Sequence, residues 1–404
     1  MFAEVSIPII SESFIHALTL NGAARYSDYS TVGGVKTYSG GIEFAPIRDI
    51  RFRAQYQRAI RAPNIGELFS GQGNNFPAAT DPCSSSQPAA QQTAAIRAAC
   101  IRSGVRADAV FNFAQPGGSQ VEELIGGNPN LIEETSDTYT VGAVFSPSFF
   151  PGFNATVDYY NITIDDAIST FGGGAANILS TCYTTLGGDP ASPFCSAIER
   201  RPNGPINQVV STNANIASIK LEGIDFGLDY RTRLPFNMFG EETQLALIVR
   251  GTRTLKSQSQ ATPIADLVDC VELYGNRCGD PTPKWILNNT LSLTGGPVGF
   301  SLQHRFLSGS RDNRQQVFAN PFLMRDASFT AIDRPSSRIG DYHIFDASLK
   351  WDVGDNYSFT VGVENLFDRS IPVVGDNADE QNNVYPSRFD PFGRKYFVAA
   401  QARF

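Results

Sequence analysis

Apolar and polar side chains alternate with a period of two in segments spread from one end of the chain to the other, and this pattern limits the possible folds more than any other feature. Phe52, Ala54 and Tyr56 point one way while Arg51, Arg53, Gln55 and Gln57 point the other. Tyr139, Val141, Ala143 and Phe145 repeat the pattern, as do Ile224, Phe226, Leu228 and Tyr230 against Asp225, Gly227, Asp229 and Arg231. Further on, Phe345, Ala347, Leu349 and Trp351 oppose Asp346, Ser348 and Lys350, and Tyr357, Phe359, Val361 and Val363 oppose Ser358, Thr360 and Glu364. A strand with one apolar and one polar face has this period. Thirteen such segments can be read, near 2–10, 14–29, 34–46, 48–60, 135–147, 152–168, 206–233, 241–256, 283–295, 297–309, 340–353, 356–368 and 389–404.

The connections between these segments alternate in kind. One set is short: SES, APIRD, SPSFFPG, LPFNMFGEE, TGG and DVGDN. Apart from a short turn near Ser30, the other set is long and polar, at 61–134, 169–205, 257–282, 310–339 and 369–388. Short turns at one end and long loops at the other are the asymmetry of a bacterial outer-membrane barrel, apolar outside and polar within. The expected fold class is therefore all-β, an antiparallel transmembrane β-barrel, with residues 1–404 as one barrel domain. Phe149, Phe150, Phe153, Phe236 and Phe239 flank two of the short turns, where an interfacial aromatic girdle belongs. Several segments exceed the roughly 9–11 residues that cross a bilayer in a tilted strand, so the surplus should project on the long-loop side. A soluble sandwich or propeller also alternates, but it gives no reason for five long loops on one side.

Composition narrows the alternatives. Charged residues are 18%, below the roughly 25% of soluble proteins. A net charge of -8 gives no basic stripe for nucleic acid, and 42% hydrophobic residues argue against disorder. No apolar run approaches the length of a transmembrane helix. The six cysteines fall in three close pairs, Cys83 with Cys100, Cys182 with Cys195 and Cys270 with Cys278, each within a long connection. Disulfides of an oxidising compartment are one reading and buried thiols the other. Zinc is disfavoured, because no CxxC occurs and His16, His304 and His343 are remote from the cysteines.

The two ends raise a further expectation. Met1 runs into FAEVSIPII without a basic start or apolar core, so no export signal is read there. Antiparallel strands return both termini to one side only in even number, so thirteen crossings imply a missing N-terminal portion, unless one strand is overlooked. At the other end, Tyr396, Val398, Ala400 and Ala402 share a face and the chain closes on Phe404. This ending resembles the signal read by the outer-membrane barrel assembly machinery.

RAIRAPNIGELF (58–69), GGNPNLIEETSDTYTVG (126–142), NLFD (365–368) and Phe404, in this order, resemble the C-terminal barrel of TonB-dependent outer-membrane receptors. The resemblance covers essentially the whole chain. It implies about 13 strands of a 22-stranded barrel, incomplete at the N-terminus, and import of a scarce ligand with energy from the TonB complex. Neither the family's plug nor its TonB-contacting box has a counterpart here. IRAP (60–63) and NPNL (128–131) resemble the paired boxes of haem receptors, but no histidine lies between 64 and 127 to ligate iron. A siderophore–iron complex or an oligosaccharide is then the expected ligand. A passive pore or a surface binding scaffold is the alternative. Lipopolysaccharide and outer-membrane lipid are the expected surroundings.

Candidate ligand contacts follow from side-chain chemistry. Arg58 and Arg61, ahead of the longest loop, could fork a carboxylate or catecholate, or pair with Glu67, Glu133 or lipid phosphates. Asn64 and Glu67 follow them, while Asn128 and Asn130 flank Pro129 in a segment suited to shaping the loop's return. Phe76, Tyr183, Phe194 and Tyr274 could stack on a ligand or pack the loops. Asp158, Asp225, Asp229 and Glu364 sit on polar rows and should line the lumen. No nucleophile motif, phosphate loop or metal cluster emerges, so neither an enzyme nor a cofactor is expected.

Overall fold

A computed structural model describes residues 1–118, 120–265, 267–275, 278–313, 338–374 and 383–403. Thirteen strands form its wall: β1 (Phe2–Ser11), β2 (Ala17–Tyr29), β3 (Gly33–Ile47), β4 (Ile50–Arg61), β5 (Glu134–Phe145), β6 (Phe153–Thr170), β7 (Asn213–Met238), β8 (Glu241–Gln260), β9 (Trp285–Gly295), β10 (Val298–Leu307), β11 (Tyr342–Val353), β12 (Tyr357–Glu364) and β13 (Lys395–Ala402). Each pairs antiparallel with the next in sequence order, and Val268–Asp269 adds a short piece beside β8. The sheet is open, with β1 and β13 as its two edges.

Every alternating segment of the sequence lies in this wall, with one division. The run 206–233 splits, because Ile206–Val210 leaves the wall to pair with Ile198–Arg200 and Glu123–Ile125 in a separate loop sheet. The break falls at Ser211, whose amide bonds Leu124 O at 2.9 Å and whose hydroxyl donates to Glu123 at 2.6 Å. Similarly, 389–394 belongs to the last connection, and β13 begins only at Lys395. Phe404 lies outside the described residues, as do most of 310–339 and the middle of 369–388.

The register assigns the faces. Across β4, β5, β6 and β7, Phe52 pairs with Ala143, Ala143 with Val157 and Val157 with Phe226, one continuous apolar row. The even positions of β4 therefore face outward and the odd ones inward. In β13, Tyr396 and Val398 share the outer face with Val363 and Val361 of β12. Val141, Val361, Tyr396 and Val398 are all exposed, a surface that water would drive to associate and a hydrocarbon layer would cover.

The inner face is charged and self-paired. Arg53 forks Asp158 through Nε at 2.7 Å and Nη2 at 2.6 Å, although β5 runs between their strands. Gly142 of β5 makes this possible, since a Cβ there would stand 2.0 Å from Asp158 Oδ1. Arg250 forks Asp229, Thr252 donates to Asp225 at 2.6 Å, Arg305 pairs with Asp346, and Lys395 with Glu364. The four acids read as lumenal from the sequence all take part in these inner-face contacts.

At the short-turn end, Phe149 and Phe150 stand with Phe145, Phe153 and Tyr230. Phe236 and Phe239 are exposed beside the β7–β8 turn. Phe239 has φ of 51° and precedes Gly240 at 81°. Two left-handed residues are what a two-residue hairpin needs, and a bulky side chain accepts that conformation at about 1–2 kcal/mol.

Candidate functional site

The long connections gather at one end of the wall and form two packed clusters. The first is anchored where β4 ends. Asn64 caps the helix Ile65–Phe69: its side chain accepts from Glu67 N, and Glu67 accepts from Asn64 N, both at 2.8 Å. Arg61 donates through Nη1 to both oxygens of Glu67 at 3.0 Å, and through Nε and Nη2 to Glu134 at 2.6 Å. Glu134 also accepts from Ile168 N of β6 at 2.7 Å. Asn128 closes the far end of the loop, with its amide on Glu67 O at 2.9 Å, its Nδ2 on Asn213 O at 2.9 Å and its Oδ1 accepting from Asn130 N at 2.9 Å. The two motifs thus fasten the entry and exit of one loop to each other and to β5, β6 and β7.

Arg58 is elsewhere. A separation of three residues on a period-two strand puts it on the face opposite Arg61, so the two guanidiniums do not form one clamp. It faces outward, where it forks Asp137 at 3.0 and 2.8 Å, and Tyr56 donates to the same carboxylate at 2.6 Å. The acids that pair with Arg61 and Arg58 are Glu67, Glu134 and Asp137 rather than Glu133.

Beyond the anchor, residues from 73–125 and 171–210 fold together as a cap. Gly73–Asn75, Glu123–Ile125, Ile206–Val210 and Ile198–Arg200 make its four-stranded sheet. Its core gathers Val105, Val110, Val121, Ile178, Leu179 and Val209 around two disulfides. Cys83 bonds Cys100 with Cα atoms 5.8 Å apart, and Cys182 bonds Cys195 at 5.0 Å. Each bond closes a short loop and removes about 3 kcal/mol of unfolded-state freedom. Tyr183, 2% exposed, and Phe194, 6% exposed, lie within this core, so both rings pack protein.

Two buried charged centres brace the cap. Arg200 bonds Asp81 through Nη1 at 2.7 Å and Nη2 at 2.8 Å, Tyr183 Oη through Nε at 3.0 Å and Nη2 at 2.8 Å, and Gly204 O at 2.7 Å. Burial is the largest single influence and pulls the guanidinium toward neutrality, but the hydrogen bonds and charge attraction of Asp81 and Tyr183 together outweigh it and its pKa rises. Glu123, also buried, accepts from Ser211, Ala175 N and Asn75, and so ties both loops together. Asp81, Glu123 and Arg200 carried no signal in the sequence, because their partners are remote along the chain and no motif surrounds them.

The second cluster joins the three later loops. Cys270 bonds Cys278 with Cα atoms 5.4 Å apart. Leu273–Tyr274 runs parallel to Ser310–Asp312, which pairs antiparallel with Arg338–Ile339. Tyr274, fully buried, meets Tyr385 edge-on at 5.7 Å within a core that includes Ile339, Tyr342, Ile344, Val374 and Phe389. Below it, an open cavity of about 680 Å³ on the inner wall is lined by Arg305, Asp346, Glu364, Phe389, Phe392 and Lys395 among others. Of the loop aromatics considered as ligand contacts, Phe76 keeps an open ring, 54% exposed. No group of three or more His, Cys, Asp or Glu among the described residues could hold a metal ion.

A family model described as TonB dependent receptor-like, beta-barrel, matches residues 1–366. Comparison with curated proteins returned no match. Among solved structures, the siderophore receptor PirA from Acinetobacter baumannii is similar at a TM-score of 0.59 and 16% identity, covering 100% of this chain and 46% of that one. A ferric enterobactin receptor mutant, PfeA from Pseudomonas aeruginosa, solved in complex with enterobactin, gives 0.60 and 16%, over 99% and 44% of the two chains. The FrpB iron transporter from Neisseria meningitidis gives 0.51 and 13%, over 100% and 45%. The chain therefore spans less than half the length of these receptors.

Proposed function

Because the chain belongs to the TonB-dependent receptor-like β-barrel family, we propose that it supplies wall and ligand-capturing loops to a bacterial outer-membrane receptor that imports a siderophore–iron complex with TonB energy. An oligosaccharide is the other ligand class within the same reading. The observation that carries it is the pairing of a thirteen-stranded wall, apolar outside and charged inside, with disulfide-braced loops gathered at one end. Ligand contact is assigned to the exposed faces of the two loop clusters and to the inner wall beneath them. Phe76 offers a ring for stacking. Arg61, Asn64, Glu67, Asn128 and Asn130 act in this reading by fixing the cap, whereas Tyr183, Phe194 and Tyr274 act by filling the loop cores. Arg58 acts on the outer face. TonB, the barrel assembly machinery and the surrounding lipid are the proposed partners. Chemistry at a bond is not part of the proposed role.

The test is uptake by receptor-deficient cells carrying a complete receptor whose barrel includes this chain, with iron-loaded siderophores and labelled oligosaccharides supplied in turn, with and without TonB; the chain expressed alone is expected to restore no uptake. Accumulation of one class that needs TonB is the expected result. Entry at the same rate without TonB would overturn the reading in favour of a passive pore, and surface binding with no entry would favour a scaffold.

A further inference from the structure

The outer face holds a group that a purely apolar surround does not explain. Leu228, Phe226, Ile224, Glu222 and Lys220 alternate along one face of β7, paired with Val249, Gly251, Arg253, Lys256 and Gln258 of β8. Arg253 pairs in turn with Trp285 of β9. This row continues the outward apolar row of the earlier strands, so Arg253, Lys256, Lys220 and Trp285 face outward with Glu222. The Arg253 guanidinium lies 5.2 Å from the Trp285 ring centroid, and that ring meets Phe226 edge-on at 6.2 Å. Its Nε is buried with no hydrogen-bond partner, and no carboxylate among the described residues forms a salt bridge with it. Lys220 and Lys256 reach the same oxygen, Glu222 Oε1, at 3.0 and 3.1 Å, and Asn161 donates to it at 3.0 Å. Three cations thus stand beside one acid, which only the two lysines reach.

Depth decides what can neutralise them. From Ile224 to the exposed Phe236, at about 3.3 Å per residue and a tilt near 40°, the wall spans about 30 Å. This is about the thickness of the apolar layer, and it places Arg253 at the headgroup level on the loop side. An arginine on the lipid face costs about 2–4 kcal/mol at mid-layer but only about 0–1 near the surface, where phosphates are at hand. A guanidinium can fork two phosphate oxygens, and lysines add point charges beside it.

We propose that Arg253, Lys256 and Lys220, set against Trp285, form a seat for one phosphate-bearing glycolipid of the outer leaflet. The proposal rests on the membrane reading above and adds a specific lipid site to it. The full-chain protein is to be placed in nanodiscs containing phosphatidylcholine with either the phosphorylated glycolipid or its dephosphorylated form, and retained lipid counted by native mass spectrometry. Preferential retention of the phosphorylated form is expected, falling at least ten-fold in a K220Q/R253Q/K256Q variant. E222Q removes the one acid without touching the cations and is expected to retain as much or more. Equal retention of both glycolipids, or unchanged retention by the triple variant, would overturn the seat while leaving the barrel reading intact. Loss in E222Q equal to that of the triple variant would assign the effect to packing and overturn it too. Failure of the wild-type protein to insert would sink both readings.

Discussion

Replacing Asp81 by Asn should loosen the cap while leaving the wall in place. Asp81 is fully buried, and the Arg200 side chain is 10% exposed. The substitution removes the carboxylate that takes two of the guanidinium's hydrogen bonds, leaving the Tyr183 hydroxyl and Gly204 O to hold a full positive charge. Breaking a buried pair from one side costs about 3–5 kcal/mol. Two disulfides keep the cap's segments joined, so the cost should appear as local opening. At about 1.4 kcal/mol per tenfold, the open population rises by about 100-fold or more. The assay is tryptic cleavage after Arg97, Arg102 and Arg106 in detergent, with the cleavage rate proportional to that population. Wall integrity is followed in parallel by heat-modifiable gel migration. Asp81→Asn combined with Arg200→Gln should recover most of the protection, giving a coupling above about 2 kcal/mol in a double-mutant cycle. A cleavage rate within a few-fold of wild type for the single variant would refute the argument, as would a double variant as labile as the sum of the two.

Other substitutions test the wall and its turns. Gly142→Val should destabilise refolding by about 1–3 kcal/mol in a urea titration, since the new side chain meets Asp158 and Val157 O and displaces the Arg53 pair. Asn64→Ala removes the capping box of Ile65–Phe69 and should cost about 1 kcal/mol, seen as faster amide exchange at Glu67 and Leu68. At the β1–β2 turn, the hydrogen bond from Arg48 holds the Glu12 carboxyl below the usual carboxylate range, with His16 adding attraction. A lowered folded-state pKa means this contact is present above the ordinary carboxylate pKa and is lost as pH falls through the lowered value. Arg48→Gln should move the Glu12 titration, followed by NMR, upward.

The wall was legible because its pattern is local. One apolar and one polar face impose a period of two on each strand separately, and turn residues mark where the chain reverses. The same local rule misled at 206–233, which reads as one segment although alternation lapses around Ser211 and the strand changes sheets there. Strand parity alone separates Arg58 from Arg61, yet their shared motif suggested one clamp. The cap was not legible for a different reason. Asp81 and Arg200 are 119 residues apart, and Glu123 collects donors from three segments. Nothing in a polar, glycine-rich stretch announces that two loops will share a core. Tyr183, Phe194 and Tyr274 looked available because their neighbours are polar. They are buried because each loop cluster must enclose its own apolar side chains before it can stand clear of the barrel.

Strand length varies steeply around the wall: β6, β7 and β8 have 18, 26 and 20 residues, whereas β10, β12 and β13 have 10, 8 and 8. Crossing the apolar layer takes about 9–11 of these on any strand, so almost all of the difference accrues above it. Among the described residues the wall is consequently stepped, tall along β6–β8 and low along β10, β12 and β13. The 171–210 part of the cap leaves from the end of β6 and re-enters at the start of β7, so it rides on two of the three longest strands as on a stem.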